Sequence, residues 1–404
     1  MNDVLTATLA RGQFLSLDEC ELKRLAVIAH GYQRKLEQIA GAAAVGDFAR
    51  VRMISKRVLS SHGAKLSAVL RTVKWDSKKA PPLPFSNLIA RANALDPSRL
   101  TEEPVRLSSR PKPGGGVRLI SAFGPDRRAW QRICADILKA TLPAYSFEYL
   151  RSGQGVEALT RCLLSRLERE QYGYVVTVDI KDCFGSVRKE VVHNLLPIPE
   201  WAVRKTMLID EHTRLQRVVD GNRYVDLLPD DAARRGLPQG ASTSGLVMSR
   251  AILGPMLATT FFADRLFLHG DNIAVLARNR PEAEAVLEAL RSQLENSPAG
   301  PLTIGEAAIQ PTDRKISLVQ YALIPRRALF GGGWRAVPAR RSYERFAHRV
   351  MERISKGHNG SQIDDYRVRW ASSFRLWPRN WFSMSYLRMT AAVSADRARM
   401  TLRR

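Results

Sequence analysis

Residues 172–187 read YGYVVTVDIKDCFGSV, and this stretch decides the fold. Its first half is apolar and β-branched over a strand's length, which predicts a buried strand across 172–180. The strand runs into DIKD, with Asp179 where a buried strand has no ordinary reason to end. A carboxylate that close to an apolar core is costly unless something cationic neutralises it. An arginine salt bridge is the bland way to do this.

Two other segments bear on the same question. RLFLHGDNIAVLAR (265–278) reads as two apolar strands joined by a tight turn holding Asp271 and Asn272. RRGLPQGASTSG (234–245) is a glycine- and hydroxyl-rich loop leading into a helix. Each is weak alone, since a Gly-Asp-Asn turn suits any hairpin and such a loop can simply cap the helix that follows. Together they are specific. Phosphoryl transfer by two metal ions needs carboxylates from separate strands converging on ions about 4 Å apart. Gln239 in the loop is suited to hold a base pair and triphosphate, and Lys112 and Arg118 upstream to clamp remaining phosphate charge.

The rest of the chain agrees with a polyanionic partner. The 404 residues carry 63 Lys plus Arg against 39 Asp plus Glu, a net +24. Such an excess serves phosphate backbones, although another polyanion such as a membrane face would also satisfy it. Residues 326–404 hold 18 basic residues, 17 of them Arg, against 5 acids. Arg340, Arg341, Arg345 and Arg349 are the candidate nucleic-acid contacts there, because the guanidinium fork matches phosphate oxygens. Trp370, Phe374, Trp377, Trp381 and Tyr386 among them read as a small helical core rather than a stacking platform. Four scattered cysteines without a CxxC pair exclude a zinc knuckle and a disulfide framework, and each reads as a small buried residue. No apolar run is long enough to span a membrane, and the first residues lack a secretory pattern, so cytoplasmic residence is expected.

Residues 1–80 read as helices, opened by a capping box of Ser16 and Glu19, with further helices at about 46–57 and 62–73. Residues 78–85 (KKAPPLPF) form a linker. From about 104 to 122, PVRLSSRPKPGGGVRLISA predicts two strands and a glycine-rich turn. Helices are expected at 126–140, 155–170, 240–260 and 281–295. The order is α+β with a mostly antiparallel sheet, not a βαβ series.

VTVDIKDCFGSV, RGLPQGASTSG and HGDN occur in the order and spacing of the three palm motifs of reverse transcriptases, which this chain resembles. RPKPGGGVRLISAFGPDRRAWQRI (110–133) is similar to the family's fingers segment. GDFARVRMISKRVLSSHGAKLSAVLRTV (46–73) is similar to the N-terminal element of the bacterial group II intron type, the closest in look. The resemblance implies a right-hand polymerase fold: an N-terminal helical region (1–85), fingers (86–170), an antiparallel-sheet palm (171–325) and a basic thumb-like region (326–404). It implies an RNA-directed DNA polymerase using Mg²⁺, with Mn²⁺ as a substitute. Partners would be dNTPs, a DNA product and an RNA template, structured or non-coding. Metal ligands would be Asp179, the Ile180 carbonyl, Asp271 and Asn272. Phe184 stands at the steric gate against a ribose 2′-hydroxyl, and Lys112, Arg118, Gln239 and Lys315 at the nucleotide.

The third motif departs from the usual Tyr-x-Asp-Asp, since Asn272 replaces the second Asp. That leaves an RNA polymerase, a terminal transferase or a catalytically silent RNA-binding scaffold as alternatives. Asp264 is a rival for the third-motif acid. A standalone enzyme of bacterial antiviral defence is a natural setting for such a chain.

Overall fold

The computed structural model describes residues 4–15, 17–73, 84–111, 117–150, 154–217, 230–325 and 333–377. They form two compact units that alternate along the chain: 1–146 with 180–259 and 292–303, and 147–179 with 260–291 and 304–404.

The first unit opens with helices α1 (Val4–Phe14), α2 (Glu19–Ala44), α3 (Phe48–Ser60) and α4 (His62–Thr72), then α5 (Phe85–Asn93) and α6 (Pro125–Thr141). Residues 16 and 74–83 lie outside the described residues, and with them Ser16 and most of the linker. The box that opens α2 is formed by Asp18 and Glu21, not by Glu19. A short carboxylate at the N-cap reaches the N3 amide, and buried Leu17 precedes it in the staple position. Glu19 instead pairs with Lys23 one turn on, at 2.8 Å. α2 buries Leu25, Ala29, Tyr32, Leu36 and Ile39 on one face. α6 is buried on most sides, holding Trp130, Gln131, Ile133, Cys134 and Ile137.

A polar cluster joins three of these helices. Arg71 of α4 reaches both carboxylate oxygens of Asp136 on α6, one at 3.2 Å, and the Tyr32 hydroxyl of α2 donates to the same carboxylate at 3.0 Å. Burial pushes the Tyr32 phenol well above its ordinary value, and the neighbouring Asp136 charge adds to this. A three-stranded sheet of order β2-β1-β4 completes the unit, from β1 (Val105–Pro111), β2 (Val117–Ala122) and β4 (Leu215–Arg217). β1 and β2 pair antiparallel from Arg106↔Ala122 to Pro111↔Val117, and β4 adds in parallel.

The expected helix at 240–260 is broken in register. An α-turn at Ser244–Leu246 runs into a π segment, Val247–Leu253, and a last α-turn, Gly254–Ala258. Pro255 offers no amide to the preceding turn, and a Cβ on Gly254 would fall 2.2 Å from the Tyr145 ring. The backbone therefore widens where sequence periodicity alone reads one straight helix.

The second unit is built on a four-stranded sheet of order β5-β6-β3-β7, from β3 (Tyr174–Ile180), β5 (Leu266–His269), β6 (Asn272–Ala277) and β7 (Ile304–Pro311). β6 runs antiparallel to both β3 and β5. A second antiparallel sheet has order β10-β9-β8: β8 (Ile316–Leu318), β9 (Tyr321–Pro325), β10 (Trp334–Pro338). Helix α7 (Gly155–Arg169) and the helices Arg340–Ser355 and Gly360–Ser372 share one core with these sheets. Val175, Phe267, Leu276, Leu323, Phe346, Phe374 and Trp377 are buried in it. Phe374 and Trp377 are thus core residues, as expected, while Trp381 and Tyr386 lie outside the described residues. All four cysteines are free; Cys134 and Cys183 are buried as expected, whereas Cys162 is half-buried and Cys20, in the first turn of α2, is exposed. No described helix is long and apolar enough to cross a membrane.

Candidate active site

The second unit holds the acids. β3 carries Asp179 at its penultimate position, and the register sets it directly opposite Asn272 of β6. Asn272 in turn faces His269 of β5 across a two-residue turn, Gly270-Asp271. Gly270 adopts φ +68°, the left-handed conformation that a tight hairpin requires at its first central position. Asp271 therefore lies one residue from the position facing Asp179, on a strand pair whose Cα atoms are roughly 5 Å apart. Asp179, Asp271 and Asn272 are each half-exposed, whereas Ile180 is buried.

The Asn272 amide nitrogen donates to Asp271 Oδ1 at 2.7 Å. His269 is pulled below its ordinary value mainly by burial, with its own backbone hydrogen bond and the Asp271 charge acting against that. Among the described residues no three His, Cys, Asp or Glu side chains converge. A divalent cation would therefore be held by two carboxylates, completed by carbonyl and substrate oxygens. Hard, partly exposed oxygen donors on adjacent strands fit Mg²⁺ or Mn²⁺.

The rival acid sits elsewhere. Asp264 belongs to a helical turn before β5; its carboxylate pairs with Arg265 at 3.4 Å and its carbonyl accepts from Arg166. Arg265 also pairs with Glu282. Asp264 thus takes part in an ion-pair network at the opposite end of β5 from the hairpin.

The first unit holds the loop. After β3 the chain turns through Asp182, at φ +44°, and the Ser186 amide donates to the Asp182 carbonyl at 2.9 Å. The Leu237 amide donates to the Phe184 carbonyl at 2.8 Å, and the Ser121 amide of β2 donates to the Gln239 carbonyl at 2.7 Å. Two glycines make these approaches feasible. A Cβ on Gly236 (φ +59°) would fall 2.0 Å from the Phe184 carbonyl, and one on Gly240 (φ +121°) 2.2 Å from the Ser121 carbonyl. The loop 236–240 is held from both sides. It does not act as a helix cap, since Thr243, at the N-cap, makes no side-chain capping bond. Phe184 and Gln239 are half-buried, while Cys183 and Val187 on either side of Phe184 are core.

The remaining described candidates are exposed. Arg118 is exposed on β2, paired in register with Arg110, and Lys112 lies outside the described residues. Lys315 is exposed immediately before β8. Arg340, Arg341, Arg345 and Arg349 are all exposed on the helix whose opposite face buries Ser342, Phe346 and Val350. Arg340 pairs with Glu344 at 2.9 Å and Arg341 with Glu306 at 3.5 Å.

The family model for reverse transcriptase (RNA-dependent DNA polymerase) matches residues 110–299, which include the strand, the loop and the hairpin. This is a reverse transcriptase domain. The domain indicates a nucleotidyltransferase, an RNA-directed DNA polymerase, and implies a palm-type fold, with which the mixed helices and antiparallel sheets agree. No curated protein matches it. The fingers-like segment 110–133 ends in a Gln-bearing helix, but nothing in the sequence gives that glutamine a role at the reverse transcriptase loop. Gln131, in an amphipathic helix, is fully buried and accepts from the Ser242 amide at 3.3 Å. Only the fold brings the two together.

Proposed function

We propose that this reverse transcriptase adds dNTPs to a 3′-hydroxyl through two divalent metal ions held by Asp179 and Asp271, with the Ile180 carbonyl and, more weakly, the Asn272 amide oxygen as further ligands. The observation that carries this reading is the register, which sets Asp179 opposite the residue after Asp271 at the exposed end of a buried sheet. Bound metal would supply the positive charge that acidifies the attacking hydroxyl and neutralises the departing pyrophosphate.

The chain's own residues orient the substrates. Gln239, on a loop fixed at both ends, meets the incoming nucleotide or its template partner. The half-buried ring of Phe184 crowds the sugar's 2′ position and selects deoxyribose. Lys112, Arg118 and Lys315 hold phosphate charge, and the exposed face of Arg340–Ser355 tracks the nucleic-acid backbone. In this reading residues 86–170 act as fingers, 171–325 as palm and 326–404 as thumb. The template is a structured or non-coding RNA, and the setting is cytoplasmic, in antiviral defence.

Incorporation of dNTPs and NTPs on homopolymer and self-primed RNA templates tests the proposal. Preferential dNTP addition is expected. Preferential NTP addition would favour an RNA polymerase, the reading for which Asn272 speaks, and the absence of any addition would favour a silent RNA-binding scaffold.

A further inference from the structure

We propose that Gln131 is a positioning residue that sets the 236–242 loop for nucleotide binding without touching the nucleotide; this rests on the nucleotide-binding reading of Gln239. Among the described residues, three bonds tie the loop to distant parts of the chain, beside the local ones from Ser244 to the Pro238 and Ala241 carbonyls. Two are between backbone groups, Leu237 to Phe184 and Ser121 to Gln239. The third depends on a side chain, because the Ser242 amide donates to Gln131 Oε1 at 3.3 Å.

Gln131 is suited to this task by its own restraint. It is 0% exposed on α6, and its Nε2 donates to the Thr206 carbonyl at 2.9 Å. Thr206 belongs to a π-helical turn, Val203–Met207, whose widened backbone offers a carbonyl to an outside donor. One end of the amide is thereby anchored, and the acceptor end can point in only one direction. The Ser242 amide lies three residues past Gln239 in the chain. Releasing it removes the tie between α6 and the loop and loosens the segment after Gln239. Ser242 is exposed, so water can satisfy its amide when Gln131 is lost. The carbonyl of fully buried Thr206 loses its donor as well, so Tm falls together with the change in the loop. A binding contact weakened equally in the ground and transition states raises KM and leaves kcat in place.

Steady-state kinetics of the full chain on a primed RNA template, with dNTP varied, test this. Gln131→Met keeps length and apolar volume but removes both amide bonds; KM for dNTP should rise about tenfold with kcat within about twofold. Gln131→Glu retains an acceptor for Ser242 and should fall between wild type and Gln131→Met. It also serves if the Met variant folds poorly. Cys134→Ala is the control for packing alone. Cys134 lies one turn along α6, with its sulfur 3.4 Å from Thr206 Oγ1, so this variant should lower Tm and leave KM unchanged. Combined with Gln239→Ala, Gln131→Met should add nothing to the KM effect. An unchanged KM in both Gln131 variants, or an equal rise in Cys134→Ala, would overturn the proposal. If Gln239→Ala alone leaves KM unchanged, the nucleotide reading of Gln239 fails, and the positioning role is then decided by the Gln131→Met KM.

Discussion

Replacing Gly240 by alanine tests whether the loop is built as described. The residue sits at φ +121°, where a side chain costs about 1–3 kcal/mol in backbone strain. Its Cβ would meet the Ser121 carbonyl at 2.2 Å, more than 1 Å inside ordinary contact, and the obstacle is backbone rather than a flexible side-chain end. Relief requires β2 and the loop to separate, which breaks the 2.7 Å bond from Ser121 to Gln239 and forfeits about 0.5–1.5 kcal/mol. The sum is about 2–4 kcal/mol, or a Tm lower by roughly 5–10 °C for a unit of this size. Calorimetry gives the first readout and dNTP kinetics the second, with catalytic efficiency falling further than stability alone explains. Gly31→Ala is the matched control: it lies within α2, its φ is not positive and its Cβ meets nothing within 4 Å. That variant should gain about 0.5–1 kcal/mol. Wild-type Tm and kinetics in Gly240→Ala would refute the argument.

Three other outcomes follow from the same structure. Asp136→Ala strands the buried Arg71 guanidinium and should cost about 3–5 kcal/mol by denaturant unfolding; a loss below 1 kcal/mol would mean the pair contributes nothing net. Burial raises the Cys134 thiol from 9.0 to about 12 and also raises Tyr32, so the folded state holds these protons longer than the unfolded one. Their contribution is full below pH 9, and a urea series from pH 8 to 12 should show stability lost over that range, less steeply in Cys134→Ala. Phe184→Ala should raise ribonucleotide use more than it lowers deoxynucleotide use; a loss of roughly 3–5 kcal/mol with unchanged selectivity would make the ring a core residue instead.

The parts of the fold that were legible in the sequence are those where local pattern and tertiary demand coincide. Val175, Val176 and Val178 announce a strand because a strand buried in a sheet's middle needs branched apolar residues on both faces. Gly270 marks the hairpin and Gly236 and Gly240 mark the loop, since glycine adopts those positive-φ conformations without steric cost. The cap of α2 was misplaced by two residues because Ser16 and Asp18 are both good N-caps and the choice depends on where Leu17 is buried. The π segment at 247–253 was hidden because apolar periodicity does not register one extra residue in a turn. Charges on helices ordinarily face water, so nothing local predicts that Arg71 and Asp136 turn inward to meet Tyr32.

The central claim is that Asp179 and Asp271 together carry nucleotide addition. Its most direct test is dNTP incorporation on a primed RNA template by wild type, Asp179→Ala, Asp271→Ala and Asp264→Ala, with melting temperature and RNA binding measured on each. The account predicts that the first two variants fall to background while still folding and binding RNA, and that Asp264→Ala remains active. Activity surviving in Asp271→Ala and lost in Asp264→Ala, with folding intact, would contradict it.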